Sequence, residues 1–193
     1  HEQGGRLIAR QLIDSGARHV VLVGGPRSQF AEATTFPTIR YHLTVERMLA
    51  DAGIACDYVE AGIVADICAH EATARAIFER YSDVDALVGS DLVASVALQE
   101  ALRRGISVPR DLQIIAYDGT FMAETAGMRL TAVRQDFPAV AAALASRMDS
   151  QIAADNGTTS AAAAEGGNAV AANGGQSTSE DIISVTLIPG ETT

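Results

Sequence analysis

The chain has 193 residues, 48% apolar and 20% charged, and its fourteen basic residues face twenty-four acidic ones for a net charge of −10. Lysine is absent and the arginines are scattered, so there is no basic footprint for nucleic acid, whose binding draws most of its affinity from neutralised phosphates. Cys56 and Cys68 fit neither a disulfide framework nor a metal spacing, and no apolar run reaches the ~18 residues of a membrane span.

The chain opens on His1-Glu2-Gln3-Gly4, without Met and unlike a signal peptide, so the expectation is a piece of something longer. Leu7, Ile8, Leu12 and Ile13 recur at helical spacing, and Gly16 stops that helix. His19 to Val23 is a β-branched strand running into Gly24-Gly25-Pro26, and residues 27–37 read as a loop. Val45, Met48, Leu49 and Ala52 form a second helical stripe closed by Gly53, and Cys56 to Glu60 is the next strand. The same unit then repeats. A helix over Asp66 to Arg80 leads to the strand Ala86-Leu87-Val88, and a helix from Asp91 to Arg104 ends on Gly105, with Ile106 placed for a Schellman contact. Leu112 to Tyr117 and Leu130 to Val133 are two further strands, followed by a helix from Phe137 to about Ala153 with Asp136 as its cap.

Strands alternating with helices predict an α/β fold: a parallel sheet with helices on both faces. Residues 154–181 break the rhythm. They are small and polar, rich in Gly, Ala, Ser, Thr and Asn, and hold no large aliphatic residue beyond Val170, so a flexible insertion is expected there. Ile182 to Ile188 alternates as a last strand.

A parallel sheet presents ligands at the C-terminal ends of its strands, which here offer Gly24-Gly25-Pro26-Arg27-Ser28, Ala61-Gly62, Ser90-Asp91 and Asp118-Gly119. Ser90 and Asp91 also stand where helix capping is routine. Asp118 ends a largely apolar strand, and either opens a turn or holds a ligand. No third glycine completes a dinucleotide fingerprint after "VGGPRS", and neither a phosphate-binding GxxxxGK[ST] nor a GxSxG exists. The four histidines do not pair with acids at ligand spacing. Carboxylates at strand ends, without a nucleophile or a metal cluster, suit hydroxyl-rich ligands better than catalysis. No catalytic residue, metal or cofactor is expected.

Three blocks carry a resemblance: "HEQGGRLIARQLIDSGARHVVLVGGP", "ALVGSDLVASVALQEALRRGISVPRDLQIIAYDGT" and "LTAVRQDF". In that order they resemble the effector-binding core of the lactose-repressor/galactose-repressor family of bacterial transcription regulators, from residue 1 to about 153 and again near 182. The resemblance implies a periplasmic-binding-protein-like fold of two lobes with a small effector, foremost a sugar, between them. Residues 1–134 would be the C-terminal lobe, 135–153 a crossover and helix of the N-terminal lobe, 154–181 the insertion, and 182–193 the final strand and tail. Operator DNA would be met only through an N-terminal helix-turn-helix outside this chain. A homodimer would form through the helices at about 66–80 and 91–104. The cytoplasm would be the compartment, where buried thiols stay reduced.

Carried over residue by residue, the resemblance implies that Asp118 accepts bonds from effector hydroxyls, and that Ser90-Asp91 stand where the family often has Asn-Asp. Gln135 and Phe137 belong to the crossover "QDF". The position of the family's clamping arginine falls at Tyr41, with Arg40 one step away, and that of a frequent aromatic falls near Val64. Two other readings stay open at this point: a periplasmic sugar-binding protein of a transporter, and an α/β enzyme of unrecognised type.

Overall fold

The computed structural model describes residues 1–28, 39–62, 66–164 and 183–193. Its first unit comprises His1–Gln135 and Val185–Thr193. Six strands make its sheet: β1 (His19–Gly24), β2 (Ala55–Glu60), β3 (Ala86–Ser90), β4 (Gln113–Asp118), β5 (Thr131–Gln135) and β6 (Val185–Ile188). They lie in the order β2-β1-β3-β4-β5-β6. The first five are parallel, and β6 departs from the parallel pattern by running antiparallel to β5. Because β1 lies between β2 and β3, the chain reverses its direction of winding beside β1, the kind of switch point at whose C-terminal strand ends open α/β sheets bind ligands.

The helices are α1 (Glu2–Asp14), α2 (Ile39–Asp51), α3 (Ile67–Arg80), α4 (Asp91–Arg103) and the short α5 (Phe121–Thr125). Strand residues alternate between two cores. Val20, Leu22, Val88, Ile115, Tyr117 and Val133 pack with Ile8 and Leu12 of α1 and Val45 and Leu49 of α2. Val21, Val23, Leu87, Ile114, Ala116 and Ala132 pack with Ile77 of α3 and Ala94, Ala97, Leu98 and Ala101 of α4. Burial on both faces is why β1, β3 and β4 read as unbroken apolar runs. The expected glycine stops are present. Gly16, Gly53 and Gly105 have φ of 78°, 73° and 73°, and the residue after each donates its N–H back into the helix, as Ile106 does to the Ala101 carbonyl at 3.0 Å.

Three elements differ from expectation. Helix α2 begins at Ile39, because Ile39, Tyr41 and His42 are buried and extend its apolar face toward the N-terminus. Arg40 and Tyr41 therefore lie on a helix. Helix α5 was not foreseen: Thr120 caps it, its hydroxyl accepting the Met122 N–H at 3.3 Å. In the second unit, Asp136–Ser184, helix α6 (Phe137–Ala164) continues past Ala153 into the segment expected to be flexible. Alanine, frequent there, is the strongest helix former, and it extends a helix already nucleated. The rest of that segment, 165–181, and most of the 27–37 loop lie outside the described residues.

At the opposite edge of the sheet, the Asp85 carboxylate accepts the backbone N–H groups of Arg18 and His19 at 3.0 Å. The His19 ring lies 2.9 Å from Asp57 and 3.0 Å from Asp83. Burial pulls its pKa down, but the two carboxylates outweigh burial and leave it raised. The tail closes the start of β4 and β5. Thr192 is fully buried; its carbonyl accepts the Ile114 N–H at 2.8 Å, and its hydroxyl accepts the Thr131 N–H at 2.9 Å.

Gly190 makes that seat possible, since a Cβ there would collide with the backbone of Arg129 and Leu130. Gly190→Ala is expected to cost about 1–3 kcal/mol as an overpacking change. Gly62→Ala, whose Cβ meets open space, should leave stability unchanged. Thermal melts of the two variants check this: a drop of several degrees for Gly190→Ala alone is the expected result, and equal melts would show a loosely held tail.

Candidate ligand-binding edge

The C-terminal strand ends bring Ser90, Asp118 and Gln135 to one edge. In register, Ser90 pairs with Tyr117 across β3 and β4, and Asp118 pairs with Arg134 across β4 and β5. Asp118 has φ of 115°, and no other non-glycine among the described residues has positive φ. Such a conformation costs on the order of 1–3 kcal/mol and persists only where neighbouring contacts impose it.

Those contacts come from Asp91, Arg134 and Gln135. The Asp91 carboxylate, 3% exposed, accepts the Gly119 N–H at 3.1 Å, the Thr120 N–H at 2.5 Å and the Thr120 hydroxyl at 2.6 Å. Arg134 donates from Nε to the Gly119 carbonyl at 3.1 Å and pairs with Glu124 at 2.6 Å. The Gln135 side-chain amide donates to Asp118 Oδ1 at 2.6 Å. Ser90 caps α4, its hydroxyl accepting the Val93 N–H at a long 3.5 Å.

Burial pushes the Asp118 carboxyl up to about 6; the Gln135 amide pulls the other way, and the Asp91 carboxylate adds to the rise. Among the described residues its hydrogen bond comes from Gln135 at Oδ1, which leaves Oδ2 for a donor from elsewhere. The edge thus offers a carboxylate, an amide and a hydroxyl, a set that meets a ligand's hydroxyl groups. No group of three metal-ligating side chains occurs among the described residues.

Behind Asp118 two tyrosines stack. The rings of Tyr41 and Tyr117 are 3.9 Å apart and within 5° of parallel, with 4% and 1% exposure. Burial, and then the Asp118 carboxylate, push the Tyr41 phenol well above its ordinary range. Helix α1 approaches closely enough that a Cβ on Gly4 would come within 2.7 Å of the Tyr117 ring. Beside them His42 is buried, and burial lowers its imidazole to about 4. It meets the Tyr58 ring edge-on at 5.4 Å, and Arg27 lies 4.4 Å over the same ring while pairing with Glu46.

Ser90, Asp91, Asp118 and Gln135 are therefore brought together. Tyr41 sits inside the core beneath them, and Arg40 is exposed on α2. Phe137 belongs to the second unit and is 48% exposed, and Val64 lies outside the described residues. Sequence reading missed the tyrosine stack, the Arg134–Glu124 pair and the part played by Thr120. Only the first had a usable signal: Tyr41, Val45 and Leu49 fall four residues apart on one helical face.

Residues 9–170 match the family of the periplasmic binding protein-like domain. The HTH-type transcriptional regulator CelR of Thermobifida fusca is 29% identical over 136 residues, which are 68% of this chain and 38% of that protein. The solved CelR–cellobiose complex covers 100% of this chain and 52% of its own, with 22% identity and a TM-score of 0.71. A LacI family transcriptional regulator from Arthrobacter sp. FB24, in complex with lactose, covers 100% of this chain and 63% of its own, at 19% identity and a TM-score of 0.76. At these identities the two structures establish the fold, and the chain spans well under half the length of its curated relative. The chain belongs to the periplasmic binding protein-like domain family, and what it shares with the lactose- and galactose-repressor regulators is their effector-binding region.

Proposed function

We propose that this chain is the ligand-sensing part of a cytoplasmic bacterial transcription regulator whose effector is a sugar. The observation that carries the reading is Asp118, held on a strained backbone at the ligand edge with one carboxylate oxygen engaged and its charge disfavoured by burial. A group in that state gains most when hydroxyl donors arrive. Gln135 and Ser90 would supply the adjoining contacts. The cellobiose and lactose complexes of its structural relatives support a sugar as the ligand class. Operator DNA would be reached through a domain outside these 193 residues, and effector-driven closure of two lobes would change its affinity. Two free cysteines suit a reducing compartment. No helix among the described residues is long and apolar enough to cross a membrane.

The self-association surface we propose is the exposed side of α3 and α4, where Ile67, Val96, Gln99 and Arg103 line a groove of about 370 Å³. A two-fold contact is the usual solution for such a face.

Two outcomes are expected. In a protein carrying both lobes, calorimetric titration with cellobiose and lactose should show binding of at least one sugar. Asp118→Ala should weaken it about tenfold to a hundredfold, since a hydrogen bond to a charged group contributes roughly 1.5–3 kcal/mol. Equal affinity in wild type and variant would reduce Asp118 to a turn former. Sedimentation of this chain should give a dimer at high micromolar concentration, with Ile67→Glu shifting it to monomer; a wild-type monomer would remove α3 and α4 as the interface.

A further inference from the structure

We propose that Asp91 is a positioning residue: its buried carboxylate holds the turn that aims Asp118 and touches no ligand itself. The proposal rests on the reading of Asp118 as the ligand contact. Asp91 is the first residue of α4, one past the capping position, which Ser90 fills. The bonds of Asp91 leave the helix and cross to Gly119 and Thr120, twenty-eight and twenty-nine residues further along the chain.

Both oxygens are engaged. Oδ1 takes the Gly119 amide, and Oδ2 takes the amide and hydroxyl of Thr120. At 3% exposure no part of the carboxylate remains for a ligand. The N-terminus of α4 adds a favourable potential at that point. The consequence falls on Asp118. A non-glycine residue at φ of 115° relaxes to an ordinary conformation unless the backbone is fixed on both sides. Sheet pairing fixes Tyr117 opposite Ser90, and Asp91 fixes Gly119. Only with both ends held does the Asp118 carboxylate meet the Gln135 amide at 2.6 Å. The Thr120 hydroxyl ties the same clamp to α5 by accepting the Met122 N–H.

The test compares wild type, Asp91→Ala and Thr120→Val by NMR on the whole chain without sugar. Thr120→Val removes one of the three bonds and is the milder variant should Asp91→Ala fail to fold. The Gly119 and Thr120 amides should exchange with solvent at least tenfold faster in Asp91→Ala, and in the same direction but less in Thr120→Val. The Gln135 side-chain amide should shift toward the position of a water-exposed glutamine, while Ile114 to Ala116 keep their protection. If the Gln135 signal stays in place while Gly119 and Thr120 are released, Asp91 anchors the turn without aiming Asp118, and the proposal falls. It also falls if Ile114 to Ala116 lose protection equally in the folded variants, since Asp91 would then serve the whole fold. These signals are read without ligand, so they judge Asp91 separately from the sugar reading.

Discussion

The backbone of one residue sets the terms for the ligand edge. Asp118 ends a buried strand and turns through a φ of 115°, and the chain must supply bonds that keep it there. The sheet supplies half of them, by pairing β4 with β3 on one side and β5 on the other. The remainder comes from Asp91, Arg134 and Gln135, each standing at the start or end of an element beside that turn. Arg134 and Gln135 are carried by a strand whose first three residues are buried, and Asp91 by a helix whose inner face is core. The two apolar cores therefore act as a base for a small polar group.

The arrangement concentrates unfavourable terms at one place: a strained torsion, a carboxylate removed from water, and a second carboxylate close by. None of these helps the empty protein. In the function proposed above, hydroxyl donors bonding to Asp118 offset the cost of its burial, which is the ordinary way a binding site trades stability for affinity. The tyrosine pair beneath it is consistent with this division. Stacked at 3.9 Å and almost wholly buried, Tyr41 and Tyr117 form the apolar floor that disfavours the Asp118 charge, with Tyr41 packed as core where the family resemblance implies a clamping arginine.

Much of the fold was legible because parallel strands covered on both faces must be apolar throughout. The runs at Val20–Val23, Ala86–Val88 and Leu112–Tyr117 could hardly be anything else, and Gly105 followed by Ile106 marked its helix end by a local rule. What escaped depended on partners distant in sequence. The start of α2 is set by packing onto α1 and the sheet, and α5 by the turn after β4. Asp91 shows the limit most plainly. Its neighbours in sequence offered a capping role and the family resemblance an effector contact, whereas its partners lie in a different loop, reached because β3 and β4 pair in register. Asp118 itself was marked by a local anomaly, a carboxylate following an apolar run, which is why it could be singled out without a structure.

Folding holds the Asp118 carboxylate away from water. The direct test is the melting temperature of wild type against Asp118→Asn, followed from pH 4 to pH 8. Folding raises this carboxyl from 3.8 to about 6, so the folded state binds more protons at Asp118 between those values and the contribution of Asp118 to stability falls as pH rises through them. Asp118→Asn lacks that slope, whereas the His19 titration is common to both proteins and cancels in the difference. The variant should gain on wild type between pH 4 and pH 6 by up to about 2 kcal/mol, with an advantage that levels off by about pH 7. A difference that does not change with pH would contradict it, because Asp118 would then be as well solvated in the folded chain as in the unfolded one.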